Sequence, residues 1–168
     1  WLLQIMQAPL FLTALLTPIR ESGSLLPQIW IGGYVRKFRL RKWVWVGGSV
    51  GQALAIGGMG LVAWLLSGAV GGWLIIALLV VFSLSRGFCS IAFKDVQGKT
   101  VAKTRRGLLN GLMGSASGAV AAAAGLVFVF NPDWDSPAIY GLLLAFAASL
   151  WMFAAASMGT IREFAGET

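Results

Sequence analysis

Histidine is absent from the sequence, and cysteine occurs only once, at position 89. Without histidine the chain lacks the commonest ligand of catalytic metal ions and the side chain that changes its charge near neutral pH. A single cysteine excludes an internal disulfide. No Ser-His, Cys-His or histidine-based metal cluster is available, so we expect neither an enzymatic activity nor a bound cofactor or metal ion.

Charge is scarce as well. Only 11% of the residues are charged and 58% are hydrophobic, whereas soluble domains carry roughly 25% charged residues. The mean hydropathy is +0.80. Such a chain lacks the polar surface of a soluble globule, so the composition predicts a lipid bilayer around it. A net charge of +7 would suit nucleic acid, but the cations lie in two short blocks between apolar runs, so we expect no nucleic-acid partner.

Long apolar runs account for most of the chain. A transmembrane helix needs about 20 mostly apolar residues, and each helix satisfies its own backbone polar groups inside the hydrocarbon. Four segments meet this length, at 43–66, 73–93, 108–130 and 138–160. The sequence therefore predicts an all-α membrane protein, a polytopic bundle of transmembrane helices.

The first 35 residues allow two topologies. In one, residues 1–19 form a complete span and residues 25–35 lie at the membrane interface. In the other, residues 1–7 are the tail of a preceding helix and residues 9–35 form one long span. Hydropathy alone slightly favours the first topology. Both topologies give five crossings with the same orientation.

The connections between these segments alternate in charge. Segments 36–42 and 94–107 each hold five cations, segment 67–72 holds no charge, and segment 131–137 holds only two aspartates. Loops rich in Lys and Arg stay in the cytoplasm. We therefore expect 36–42 and 94–107 to be cytoplasmic loops of a multi-pass protein of a bacterial inner membrane.

A few polar side chains fall inside the apolar segments. Arg86 lies within 73–93, where a charge usually faces a cavity or a partner, although its long stem could also carry the guanidinium to the headgroups. Arg20 and Glu21 lie near mid-membrane in the second topology and at the start of a loop in the first. Gln28 follows in the same segment. We expect these four residues to line a polar pathway.

Two further patterns carry less chemistry. Gly111, Gly114 and Gly118 form a small-residue face that lets helices approach closely, so we expect helix packing there. The run DVQGKT (95–100) ends like a phosphate-binding loop, but such a loop needs another glycine five positions before Gly98. Phe93 stands there instead, and no strand precedes it, so the match is attributed to chance.

The layout resembles the N-terminal half of a transporter of the major facilitator superfamily. The superfamily's signature, G-x-x-x-D-(R/K)-x-G-(R/K)-(R/K), follows its second helix, and here Gly32, Lys37 and Arg41 match it. Arg36 occupies the position of the aspartate. The fourth helix of the superfamily often carries an arginine, and Arg86 fits that place.

Segment 85–107, a basic link between the fourth and fifth helices, is similar to poorly characterised bacterial permeases of this superfamily. The resemblance implies that residues 1–7 are the tail of helix one and that 9–35, 43–66, 73–93, 108–130 and 138–160 are helices two to six of a twelve-helix protein. A second, C-terminal half would then be missing from this sequence. The start on Trp1, within an apolar run and without a charged n-region, also indicates the interior of a longer chain rather than a signal peptide.

The resulting hypothesis is secondary active transport of a small solute by alternating access. The solute would be anionic if Arg20 and Arg86 attract it, and Glu21 would carry a proton if transport is proton-coupled. The cytoplasmic loops would supply gating contacts through Gly32, Arg36, Lys37, Arg41, Asp95, Arg105 and Arg106. The alternative is a membrane scaffold or assembly module without transport activity, whose glycine-rich faces bind partner helices.

Overall fold

The computed structural model describes residues 2–25, 33, 40–131 and 136–163. Within these residues the chain forms helices and contains no β-strand, which confirms the predicted all-α class. The helices are α1 (Leu2–Ile5), α2 (Leu10–Leu25), α3 (Lys42–Leu65), α4 (Gly68–Thr100), α5 (Lys103–Phe130) and α6 (Pro137–Thr160).

Helices α3 to α6 are each long and apolar enough to cross a membrane. They cover the four apolar segments expected from the sequence, but α4 is much longer than 73–93. Its 33 residues span about 50 Å at 1.5 Å per residue, whereas the hydrocarbon core of a bilayer is about 30 Å thick. The segment 94–107, which the sequence predicts to be a loop, is helical except at Val101 and Ala102.

The boundary between α1 and α2 falls where the second topology places it. Gln7 adopts a positive φ of 55°, and Pro9 follows, so the first helix cannot continue through this point. Helix α2 then runs without interruption past Pro18 to Leu25. Residues 20 and 21 are therefore helical and do not begin a loop.

A glycine turn joins α3 to α4 and fastens the start of the chain to them. Gly68 adopts a φ of +73°, a conformation that glycine takes without steric cost. Its N–H donates to the carbonyl oxygen of Met6 at 2.7 Å. Beside this turn, an apolar core joins α1, α2, α3 and α4, formed by Leu3, Met6, Ala8, Leu12, Ala63, Ile75 and Ile76.

Helix α3 packs against both α4 and α6, and glycines set how closely. A Cβ at Gly48 would lie 2.6 Å from Cys89 Sγ in α4. A Cβ at Gly60 would lie 3.0 Å from the carbonyl oxygen of Gly141 in α6. At both positions the absence of a side chain allows the helices to approach closely.

Helix α5 differs from the others because none of its residues is buried. Toward its two ends it touches neighbouring helices, where Gln97 donates to Asn110 at 2.7 Å and the rings of Phe128 and Tyr140 stack at 6.0 Å. The space around its glycines at 111, 114 and 118 is open. Their role in helix packing stays a prediction, since no helix of the described chain lies against them.

Candidate functional site

The ends of three helices meet in a cluster of opposite charges. Helix α3 begins beside the last turns of α4 and the end of α6, because it runs antiparallel to both. Four side chains form the cluster, Arg41 before α3, Asp95 and Lys99 in α4, and Glu163 after α6. We call these four residues the end cluster.

Each charge of the end cluster lies beside an opposite one. Arg41 pairs with Asp95 through Nη1 and Oδ1. Lys99 Nζ lies 3.2 Å from Asp95 Oδ2, an ion pair without hydrogen-bond geometry, and 3.1 Å from Glu163 Oε1. The sequence of charges is therefore positive, negative, positive, negative, which balances the partly buried cations with carboxylates.

Glu163 also completes the start of α3. Its side chain is fully buried, with 0% exposed, and its oxygens accept from the backbone N–H groups of Arg41 at 3.2 Å and Lys42 at 2.8 Å. The residue before α3 supplies no side-chain cap of its own. The first N–H groups of a helix have no acceptor within the helix and carry partial positive charge, so a carboxylate from α6 stabilises this end.

Lys42, in turn, caps the C-terminal end of α6. Its Nζ donates to the carbonyl oxygens of Gly159 at 3.2 Å and Ile161 at 2.9 Å. These carbonyls belong to the C-terminal end of α6, which carries partial negative charge. Helices α3 and α6 therefore cap each other, one with an ammonium group and the other with a carboxylate.

The environment of Asp95 favours its ionised form. Asp95 lies beyond residue 93, outside the segment predicted to cross the membrane. Burial raises the pKa of its carboxyl, but the Arg41 guanidinium and the Lys99 ammonium outweigh burial and hold that pKa below its usual range. Asp95 is therefore ionised at neutral pH, where its carboxylate faces the Arg41 guanidinium and the Lys99 ammonium group.

Of the predicted gating residues that the structure describes, it brings together Arg41 and Asp95. Arg106 instead caps the end of α4, donating to the carbonyl oxygens of Gly98 and Val101, and Arg105 is exposed. Residues 32, 36 and 37 lie outside the described residues. The sequence analysis did not identify Lys42, Lys99 and Glu163, although the i,i+4 spacing of positions 95 and 99 suits an ion pair.

The predicted pathway residues Arg20 and Glu21 form a charged pair on α2. Arg20 Nε lies 3.8 Å from Glu21 Oε1, and the two side chains are 62% and 64% exposed. Glu21 follows the fully buried Leu12 by nine residues, which is about two and a half helical turns. It therefore extends from the face of α2 opposite to the one that packs on α4.

Helices α2 and α4 run in the same direction. Leu12 lies against Gly72, where a Cβ would be 2.7 Å from Leu12 Cδ1. Ile19, two turns further along α2, packs on the core cluster that contains Ile76. Positions along α2 can therefore be matched to positions along α4 by counting residues from Leu12 and from Gly72.

The charged pair lies near the middle of the bundle. At 1.5 Å per residue, Glu21 is about 14 Å beyond Leu12 and level with Val81 of α4. Val81 is separated by similar lengths of helix from Gly68 at one end and from Asp95 at the other, about 20 Å in each direction. Along the bundle, the pair is thus as far from the end cluster as from Gly68, where α4 begins.

Arg86 is exposed and belongs to a different surface. It follows Gly72 by 14 residues, about four turns, so it lies on the side of α4 that faces α2. No ion pair or hydrogen bond within the described chain includes it. Because Glu21 extends away from α4, it does not lie on the same surface as Arg86. Gln28 lies outside the described residues.

A second polar group, not identified as a site from the sequence, lies buried between α3 and α4. Gln52 Nε2 donates to Cys89 Sγ at 3.2 Å, and Cys89 Sγ donates to the carbonyl oxygen of Trp45 at 3.3 Å. Ser49 lies 3.6 Å from the same sulfur. Gln52 Oε1 and Ser83 Oγ are buried without a hydrogen-bond partner. These contacts fix α3 against α4 where Gly48 lies against Cys89.

No group of His, Cys, Asp or Glu side chains in the described parts of the chain is suited to hold a metal ion. No protein-family model matches the chain, and no curated protein or solved structure matches it either. The functional conclusion therefore depends on the chemistry of the residues themselves.

Proposed function

We propose that this chain lies in a bacterial inner membrane and forms the N-terminal helical half of a secondary transporter, which moves a small solute by alternating access. The observation that carries this proposal is the exposed Arg20–Glu21 pair near the middle of the bundle. A charged group exposed to hydrocarbon at that depth is costly, and such groups usually face a water-filled cavity or a partner. The outer face of α2 would then border the pathway of the solute.

The distribution of charge supports the orientation. All four members of the end cluster lie at one end of α3, α4 and α6, and the connection at the other end of α3 and α4 carries no charge. Cationic loops are retained in the cytoplasm. The end cluster would therefore lie on the cytoplasmic side, where the overlong α4 extends beyond the hydrocarbon.

The end cluster has a mechanical role in this proposal. Its members come from α3, α4 and α6, and α3 already packs against both of the other helices. Its ion pairs and reciprocal caps would hold these helices together as one body while alternating access moves that body against the second half. Gating by the loop 36–42 remains a separate part of the proposal.

The test is the accessibility of single cysteines in the full-length protein after replacement of Cys89. We expect a small water-soluble thiol reagent to label Glu21→Cys, because the proposal places that side chain in water. Val81→Cys is the matched control, since Val81 lies at the same height, is 47% exposed and would face lipid. Labelling of Glu21→Cys no faster than that of Val81→Cys would contradict the proposed pathway.

Proton coupling through Glu21 is tested separately. The other acidic residues in the described parts of the chain, Asp95 and Glu163, belong to the end cluster. Glu21 is therefore the carboxylate placed to carry a proton near the middle of the bundle. Normal proton-coupled uptake by a Glu21→Gln variant would remove Glu21 from the proton path.

One observation favours the alternative, a membrane scaffold without transport activity. Helix α5 is long and apolar enough to span a membrane, yet none of its residues is buried. A scaffold would use the exposed surface of α5 to bind a partner helix through its glycines. In that case a partner helix would protect Gly114→Cys on α5 from thiol reagents, and Glu21→Cys would be labelled no faster than Val81→Cys.

A further inference from the structure

The end of the bundle that holds the end cluster also carries cations that the fold does not use. Arg41, Lys42, Lys99 and Arg106 contribute to ion pairs or helix caps. Four others have exposed side chains and make no ion pair or hydrogen bond with the described parts of the chain, namely Lys94, Lys103, Arg105 and Arg162. Their charges are therefore available to a partner from outside the fold.

The carboxylates of the chain do not neutralise this surface. Of the six acidic residues in the sequence, Asp95 and Glu163 are already paired within the end cluster. Segment 131–137, which holds two aspartates, connects α5 to α6 at the opposite end of the bundle, and Glu21 lies about 20 Å away along the bundle. Glu167, outside the described residues, is a single charge against the four exposed cations.

The chain that leads into α3 carries the same sign of charge. Residues 26–39, of which the structure describes only Gly33, contain three cations and no acidic residue. Wherever these side chains lie, they add to the positive charge of the end that holds the start of α3 and do not cancel it.

Two of the exposed cations lie at the height of the lipid headgroups. Lys94 directly precedes Asp95 and Arg162 directly precedes Glu163, so each lies within one residue of the height of the end cluster. The apolar segment of α4 ends at residue 93, which places the boundary of the hydrocarbon at this height. The headgroup layer beyond it is roughly 5–8 Å thick on each side of the bilayer, so both side chains would extend into it.

The other two exposed cations lie further out. Helix α5 runs antiparallel to α4, as its contacts at both ends show. Lys103 precedes Asn110 by seven residues and therefore lies about 10 Å beyond Gln97, which is itself about 5 Å beyond Lys94. Lys103, and Arg105 in the same turn, are thus more than one Debye length, about 8–10 Å, further from the bilayer than Lys94.

We propose that Lys94 and Arg162 bind the headgroups of anionic phospholipids in the cytoplasmic leaflet. A leaflet that contains anionic lipids attracts cations at its surface, and each Lys or Arg there strengthens binding about fivefold. A soluble acidic partner would instead engage Lys103 and Arg105, which extend further into the water. The inference depends on the proposed orientation in the membrane and not on transport activity.

The experiment measures the thermal unfolding midpoint of the purified full-length protein in an uncharged detergent. Dioleoyl phosphatidylglycerol, which is anionic, and dioleoyl phosphatidylcholine, which has no net charge, are added in parallel series with identical acyl chains. We expect phosphatidylglycerol to raise the midpoint at concentrations at least about tenfold lower. Glycerol phosphate, which has the phosphate without acyl chains, should leave the midpoint unchanged over the same range.

Two double variants that remove the same charge identify the cations that bind. Lys94→Gln with Arg162→Gln should need at least about tenfold more phosphatidylglycerol for the same rise, because two binding cations are lost. Lys103→Gln with Arg105→Gln is the matched control and should change this concentration less than about twofold. Lys94→Arg with Arg162→Lys keeps both charges and should behave like the unaltered protein. Because all four side chains are exposed, the lipid-free midpoints should agree.

Four results would overturn the inference. Equal effects of the two lipids would show that headgroup charge is not recognised. Equal losses in the two glutamine variants would mean that the net charge of this whole end attracts the lipid. An equal effect of glycerol phosphate would assign the cations to a soluble phosphate compound, and a larger effect of a polyglutamate peptide would assign them to an acidic protein. None of these results alters the expected labelling of Glu21→Cys, so failure of this inference and failure of the proposed pathway are distinguishable.

Discussion

At the scale of single residues, Glu163 forms more contacts between helices than any other side chain of the end cluster. It pairs with Lys99 of α4 and accepts from two backbone N–H groups at the start of α3. Its side chain is fully buried. A buried carboxylate is costly unless it is fully paired, and these contacts pair Glu163. Without its carboxylate, two backbone N–H groups lose their acceptor and Lys99 keeps only its ion pair with Asp95.

We expect Glu163→Ala to destabilise the protein by about 2–4 kcal/mol, because two backbone N–H groups lose their acceptor and Lys99 keeps only its ion pair with Asp95. Glu163→Gln should cost about half as much, since an amide oxygen still accepts from the backbone. Unfolding in mild detergent, followed by tryptophan fluorescence, measures both. Arg162→Ala is the control, because Arg162 is exposed beside Glu163, and it should change stability by less than about 0.5 kcal/mol. Equal effects at 162 and 163 would show that Glu163 does not hold the helix ends together.

At the scale of helices, the contact between α3 and α4 depends on which face a glycine occupies. Gly47 and Gly48 are neighbours in α3, but only Gly48 faces α4. A Cβ at Gly48 would lie 2.9 Å from the carbonyl oxygen of Ser85, whereas a Cβ at Gly47 would meet nothing within 4 Å. Backbone atoms of a packed helix cannot yield as a flexible side chain does.

The two glycines therefore predict opposite effects of the same substitution. Gly48→Ala should destabilise the protein by about 1–3 kcal/mol, because α3 and α4 must move apart. Gly47→Ala should be neutral or should stabilise by up to about 1 kcal/mol, because alanine favours the helix. Unfolding midpoints of the two variants, measured side by side, test this. A Gly48→Ala variant as stable as Gly47→Ala would mean that α3 and α4 are not in close contact at this point.

The sequence predicted the helices more completely than their ends or their partners. Apolar runs located α3 to α6, because hydropathy reports which residues suit a hydrocarbon environment. The same signal stopped α4 at residue 93, since charged residues such as Asp95 and Lys99 end an apolar run without ending a helix. Arg41 and Glu163 are far apart in the chain, so only the antiparallel packing of α3 and α6 could reveal that they meet.

The predicted pathway residues show a similar limit of sequence analysis. Arg20, Glu21 and Arg86 stand out as charges within apolar segments, which a single sequence shows directly. Whether two such residues line the same cavity depends on how their helices are rotated and directed relative to each other, and the sequence alone did not establish this. The contact of Leu12 with Gly72 and the packing of Ile19 on the core supply both, and together they separate Glu21 from Arg86.

At the scale of the whole molecule, α5 contributes little to the stability of the described bundle and is available for association with other helices. The described bundle owes its packing to the other helices, since no residue of α5 is buried. Substitutions on α5 should therefore affect partners of the protein rather than its own fold.

We expect Gly114→Leu to leave the unfolding midpoint of the isolated chain unchanged, because the space around Gly114 is open. In the full-length protein the same variant should reduce function, or association with a partner helix, at least about tenfold if close helix packing occurs there. Ala116→Leu is the matched control, about half a turn away on the opposite face. Equal losses in the two variants would mean that α5 has no preferred packing face.

The reciprocal capping of α3 and α6 has a consequence for the order of synthesis. Glu163 leaves the ribosome after every helix that its carboxylate joins. Until then the first N–H groups of α3 lack their acceptor, and Lys42 lacks the carbonyls of Gly159 and Ile161. Synthesis of the chain through residue 163 therefore supplies the missing hydrogen-bond acceptor at the start of α3, more than 100 residues earlier in the chain. A nascent chain that stops short of residue 163 would contain most of the same helices, but the first N–H groups of α3 would lack the Glu163 acceptor.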